Sequence, residues 1–216
     1  MPYHKVPLSD GEVYHVFTKS IAGFRVFNSD DDYKRLIDSI VYYSAKKVPC
    51  RYSDFTGSDP GPMALDKNTE RIVSIIAYCV MPTHIHIVLK QLAEEGITRL
   101  MSCILKSHSK YFNTRHGRKG PLWEGRFKRV LVKTDEQLLH LTRYVHLNPT
   151  TAYLVNGPHE WPFSSYQEYA TNVVADKKIC VFGDLLDIEP EAYRKFTEDR
   201  IAYQRELSKI TNLTLD

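Results

Sequence analysis

Ile75-Ile-Ala-Tyr-Cys-Val-Met-Pro-Thr-His-Ile-His-Ile-Val-Leu-Lys90 is the most apolar run of the chain, and its reading decides the fold. Ile72 to Val80 is rich in strand formers. Met81-Pro-Thr is a tight connection, and Pro82 has no N–H to give to a ladder, so it suits a turn or strand start. His84 to Leu92 then reads as the third strand of the chain, forming a hairpin with Ile72 to Val80. Successive side chains of a strand point to opposite faces, so His84 and His86 share one face while Ile85 and Ile87 share the other. Two imidazoles on one small patch are either a pair of core histidines or the ligands of a divalent metal, which imidazole binds readily.

Working outward, Gly11 to Lys19 alternates in its second half and reads as the first strand. Ser29 or Asp30 caps a helix with further acids in its first turn. Tyr33, Leu36, Ile37, Ile40 and Val41 carry that helix toward an end near Lys46–Lys47, and Pro49 closes it. Arg51 to Asn68, with Gly57, Pro60, Gly61 and Pro62, reads as a long loop. Glu94-Glu-Gly96 introduces a second helix through Ile97, Leu100, Met101, Ile104, Leu105, His108, Tyr111 and Phe112, with Gly117 as its stop. Gly120 to Gly125 is turn-rich, and Phe127 to Lys133 reads as the fourth strand. Thr134 or Asp135 caps a third helix with Leu138, Leu141 and Val145 on one stripe. His140, Tyr144 and Asn148 form a neighbouring stripe.

The order strand, helix, strand, strand, helix, strand, helix predicts an α+β fold. It is a ferredoxin-like antiparallel sheet with helices on one face, plus an extra helix and a C-terminal helical extension. Residues 1–170 form the main domain and 171–216 the extension. Pro190 begins a last helix through Tyr193, Phe196, Ile201 and Leu207.

With 216 residues the chain can bury a substantial core, and its 14 tyrosines argue against disorder. The four cysteines form no close pair, so neither a zinc knuckle nor a redox dithiol is suggested. No apolar run reaches the ~20 residues of a membrane helix, and the N-terminus lacks an apolar signal core. An intracellular, cytoplasmic place away from membrane is therefore expected. The net charge of +3 says little, but its distribution says more. Between Lys106 and Lys133 nine basic residues face a single acid, Glu124, and aromatic residues break the run. Such a block suits phosphate contact with base stacking.

Four blocks, in this order, carry a family resemblance: Met81-Pro-Thr-His-Ile-His-Ile-Val-Leu, Gly120-Pro-Leu-Trp-Glu-Gly-Arg-Phe-Lys128, Arg143-Tyr-Val-His-Leu-Asn-Pro149 and Trp161-Pro-Phe-Ser-Ser-Tyr166. Together they resemble the single-tyrosine HUH nucleases and, within them, the REP-associated tyrosine transposases, from about Val13 to Tyr169. The resemblance implies that His84 and His86 bind a divalent metal, Mg²⁺ or Mn²⁺. It implies that Tyr144 is the nucleophile and that Asn148, where related transposases have glutamine, is the third ligand. Asn is shorter than glutamine, and Pro149 disfavours helical geometry at the residue before it. The implied reaction cleaves and rejoins hairpin-bearing single-stranded DNA through a 5′-phosphotyrosine, in a monomer or homodimer. Arg115, Arg118, Lys119, Trp123, Arg126, Lys128 and Arg129 would hold that DNA. Tyr111 is the rival nucleophile, but its place on the apolar stripe of the second helix predicts a ring packed into the core. The alternative function is a non-catalytic module that binds single-stranded DNA or RNA, built on the same kind of sheet.

Overall fold

Four strands form one antiparallel sheet in the computed structural model, which describes residues 7–55, 69–174 and 177–213. They are β1 (Val13–Lys19), β2 (Val73–Val80), β3 (His84–Gln91) and β4 (Lys128–Val132), in spatial order β2-β3-β1-β4. The hairpin read from the sequence is present, with Met81 and His84 closing it through backbone bonds. The β1–β3 register sets Lys19 opposite His84, Phe17 opposite His86 and His15 opposite Val88. Lys128 and Val130 of β4 face Phe17 and His15 from the other side. One face of the sheet therefore carries His15, Phe17, Lys19, His84, His86 and Lys128. The other carries Val16, Ile85, Ile87 and Leu89, all fully buried.

The apolar face is covered by α1 (Asp30–Tyr43) and α3 (Gly96–Arg115), with a short α2 (Tyr52–Phe55) beside them. Tyr33, Leu36, Ile40, Ile97, Leu100, Met101 and Ile104 supply the helical side of this core. Asp32 holds the start of α1 by accepting the N–H groups of Asn28 and Ser29 at 2.8 and 3.0 Å. A side chain at Gly96 would place its Cβ 2.3 Å from the Ile72 carbonyl, so the first turn of α3 packs directly on backbone.

α4 (Asp135–Thr151) is the extra helix and lies over the histidine-bearing face. It is followed by α5 (Tyr166–Ala170), α6 (Pro190–Glu198) and α7 (Ile201–Leu213).

Three expectations are corrected. First, α1 stops at Tyr43 rather than near Lys46–Lys47, because the Ser44 hydroxyl donates to Val41 and the chain then pairs with Arg71 and Ile72. Second, the expected loop 51–68 contains the short α2, while its residues 56–68 lie outside the described residues. Third, the single helix expected from Pro190 to Leu207 is two, broken after Glu198. The second part turns back onto α4, where Arg205 donates to the Thr150 and Val155 carbonyls. The tail also enters the main core: Val181 N–H bonds Ile75, and Cys180, Leu186 and Tyr193 are buried. Among the described residues no helix is long and apolar enough to cross a membrane.

Candidate active site

β3 brings the two histidines together as its alternation requires. His86 is buried, His84 is half-buried, and their rings meet edge to face at 5.1 Å. Each has one nitrogen engaged: Thr83 Oγ1 lies 3.0 Å from His84 Nδ1, and His15 Nε2 lies 2.9 Å from His86 Nδ1. Burial, then the nearby Lys19 charge, pushes His84 down to about 4, while a bond to Asn148 opposes the shift. Burial lowers His86 well below the usual range, with His84, His15 and Lys19 adding to it. Both rings are thus neutral at neutral pH, the form in which imidazole ligates.

α4 delivers Tyr144 and Asn148 to the same place. Thr134 caps the helix by accepting the Gln137 N–H at 3.1 Å. Leu138 and Val145 anchor it, which leaves Tyr144 at the edge, 41% exposed. The Tyr144 ring stands edge-on to His86 at 5.6 Å and to His15 at 6.2 Å. Burial raises its phenol above the usual value, and a bond from Asn148 works against that rise. The Asn148 amide is thus near enough to influence both the His84 ring and the Tyr144 hydroxyl, and its Nδ2 donates to the Tyr144 carbonyl at 2.9 Å. The helix does not yield before Pro149 as expected. Asn148 is helical and Pro149 sits inside α4. Its position in the last turn limits the disturbance, and Arg205 satisfies the following Thr150 carbonyl.

Tyr111 is elsewhere. It is half-buried on α3, its hydroxyl donates to Asp32 at 2.8 Å and accepts from Arg115, and Arg35 covers its ring. The expected core packing is thus only partial, because the hydroxyl finds a carboxylate at the rim.

The donor set fits a divalent cation in part. Two neutral imidazoles lie beside the phenol with the Asn148 side chain close by, a nitrogen-bearing set that suits Mn²⁺ better than the oxygen-preferring Mg²⁺. No group of three or more His, Cys, Asp or Glu placed to hold a metal ion occurs among the described residues. His15 is close, but its Nε2 is taken by His86.

The basic segment divides. Lys128 shares the histidine face, and Lys119 and Arg126 are exposed. Arg126, Arg129 and Lys133 line a groove of about 920 Å³ with Tyr14, Phe127 and Leu131, where Arg129, Leu131 and Tyr14 lie on the opposite face of the sheet. Arg115 pairs with Asp32 at 3.3 Å, and Arg118 holds Asn113 and the Pro121 carbonyl. Trp123 is a correction: its ring is 7% exposed and its indole donates to the Leu105 carbonyl, so it offers no stacking surface. The aromatic spacing that suggested stacking reflects core packing against Phe27 and His108.

His15, Thr83 and Lys19 escaped the sequence reading. The alternation of β1 places His15, Phe17 and Lys19 on one face, but nothing local says that β3 is the neighbouring strand.

Residues 63–148 match the family described as Transposase IS200 like. A putative REP-associated tyrosine transposase of Haemophilus influenzae is 25% identical over 42% of this chain and 57% of its own length. The match thus spans little more than half of that relative. A solved structure of a REP-associated tyrosine transposase bound to a REP hairpin superposes with a TM-score of 0.54 at 19% identity, over 89% of this chain and 96% of that one, and so shares its fold. The resemblance drawn from the four sequence blocks is borne out: this chain is similar to the IS200-like transposases and, among them, to the REP-associated tyrosine transposases.

Proposed function

We propose that this protein cleaves and rejoins hairpin-bearing single-stranded DNA through a covalent tyrosine intermediate, as in DNA transposition. The observation that carries this reading is the convergence of Tyr144, Asn148, His84 and His86 from two elements far apart in sequence. Residues 1–170 serve as the nuclease unit, acting on nucleoid DNA in the cytoplasm, and 171–216 as an extension that backs α4. One copy supplies every one of these side chains, so a monomer suffices, and a homodimer would carry two such sites.

Tyr144 Oη attacks the scissile phosphorus in line. An O–P bond forms to the 5′ side, the bond to the 3′ oxygen breaks, and that oxygen leaves as a 3′ hydroxyl with the proton that the phenol gives up. Attack by a 3′ hydroxyl on the phosphotyrosine reverses the step, so strands are exchanged without an external energy source. A phenol is a weak nucleophile near neutral pH, so its charge as it reacts needs support. Asn148 supplies a hydrogen bond to the phenol oxygen. Lys19 and Lys128 flank the histidines on the same face and counter the phosphate charge. His84, His86 and the Asn148 amide oxygen would hold a divalent cation, which when bound polarises the phosphate. Lys119 and Arg126 add phosphate contacts farther along the strand, with Arg115 and Arg118 at its margin, and Arg129 would meet it only where it wraps the β4 edge into the opposite groove.

Labelled hairpin oligonucleotides incubated with the protein and Mn²⁺ should yield an adduct that survives denaturant. Binding without any adduct would instead support the non-catalytic module.

A further inference from the structure

The two histidines of the site are held in different ways. Thr83 belongs to the turn that opens β3, so its contact with His84 Nδ1 is local. His15 comes from β1, and its contact with His86 Nδ1 exists only because the sheet pairs these strands. The His15 ring lies nearly parallel to Phe17, with centroids 5.0 Å apart, is joined edge to edge to the nearly coplanar His86 ring at 5.1 Å, and meets Tyr144 edge-on. It is therefore fixed on three sides.

Two neutral imidazoles with nitrogens 2.9 Å apart share a single hydrogen bond, so one ring donates and the other accepts. If His86 accepted, its own proton would sit on Nε2 and no lone pair would face a cation. If His86 donates from Nδ1, its Nε2 keeps the lone pair, and His15 carries its proton on Nδ1. Ligating histidines ordinarily donate their other ring N–H to a fixed acceptor.

We infer that His15 is a positioning residue: it accepts the Nδ1–H of His86 and holds that ring in the tautomer and orientation that leave Nε2 open to a divalent cation beside Tyr144. This rests on the metal reading proposed above, but its core, the tautomer, can be measured without metal. Because His15 also packs against Tyr144, His15→Phe keeps the aromatic contact and removes the acceptor. His15→Gln returns an acceptor oxygen to the position.

Side-chain ¹⁵N shifts of the metal-free wild type should show His86 protonated at Nδ1 and bare at Nε2. In His15→Phe that fixed assignment should be lost. Mn²⁺ affinity, read by titration of the free ion's paramagnetic signal, should fall about ten- to hundred-fold. His15→Gln should lie between the two, and thermal melts should show all three folded. A wild-type His86 protonated at Nε2 would overturn the inference without any variant. So would an unchanged Mn²⁺ affinity in folded His15→Phe. A wild type that bound no Mn²⁺ would defeat the metal reading instead, while the ¹⁵N shifts would still decide the role of His15.

Discussion

α4 takes part in two histidine–tyrosine pairs of nearly the same shape. Tyr144 meets His86 with centroids 5.6 Å apart at 85°, and His146 meets Tyr193 of α6 at 5.7 Å and 82°. Their surroundings are opposite. His146 and Tyr193 are fully buried, with the hydroxyl 2.6 Å from Nδ1 and Ser165 Oγ 2.8 Å from Nε2. Every polar atom of that ring is used within the fold. At the other pair the tyrosine is 41% exposed, and among the described residues the Asn148 amide is what acts on its hydroxyl. Ring geometry is therefore no mark of chemistry. What sets Tyr144 apart is a reactive atom that the fold leaves accessible.

The largest expected effect tests that contrast directly. Tyr144→Phe should form no covalent adduct, yet cost no more than about 1 kcal/mol of stability, the usual net worth of one hydroxyl hydrogen bond. Tyr193→Phe should behave the other way. It leaves His146 Nδ1 unpartnered, costing about 1–3 kcal/mol in urea unfolding, while the adduct still forms. Adduct formation by Tyr144→Phe with none from Tyr111→Phe would transfer the role to Tyr111.

Next in size is the metal. His84→Ala should remove cleavage and keep the fold, because the residue is only half-buried, and excess chelator should do the same to the wild type. Cleavage that persists in chelator would break the metal reading.

Acid should act on every histidine that burial keeps neutral, the closed pair included. Burial holds His146 down to about 3 and His108 down to about 4, whereas unfolded histidine titrates at about 6.5. Below that value the unfolded chain binds protons that the native chain refuses. Stability present at neutral pH should then be lost as the pH falls from about 6.5 toward 4, by up to ~1.4 kcal/mol per pH unit for each histidine. Urea midpoints at pH 7, 6 and 5 would show this. Equal midpoints would mean that these rings are protonated inside the fold.

The smallest effect concerns DNA contacts. Arg126→Ala and Lys128→Ala should each reduce the salt dependence of single-strand binding by roughly 0.7 in the log–log slope. Trp123→Phe should leave binding of folded protein unchanged, since the indole faces Leu105. A slope unmoved by either basic substitution would make this segment an ordinary solvated surface.

The hairpin, the shared face of His84 and His86, and the Tyr144–Asn148 stripe were legible because each is periodic over a few residues. The basic segment was legible only as composition. Its spacing could not show that Trp123 turns into the core, that Arg118 ties its own loop, or that Arg115 answers Asp32 from 83 positions away. Tyr111 failed for a similar reason: it lies on the apolar stripe, but the carboxylate that draws its hydroxyl to the rim belongs to α1.

By itself the sequence determined the local conformations, since alternation, helical spacing, capping and turn chemistry act through near neighbours in the chain. It also determined which residue types stand two, four or eight positions apart. Strand order and helix placement belonged to the tertiary structure. Only the pairing of β1 with β3 puts His15 against His86, and only the docking of α4 on the polar face brings Tyr144 over both. Those contacts join residues 58 to 129 positions apart, about 60–130 by chain distance, and depend on burial of the whole core. The tail shows the same division, because its helical spacing was plain while its break after Glu198 came from the surface of α4 that it had to reach.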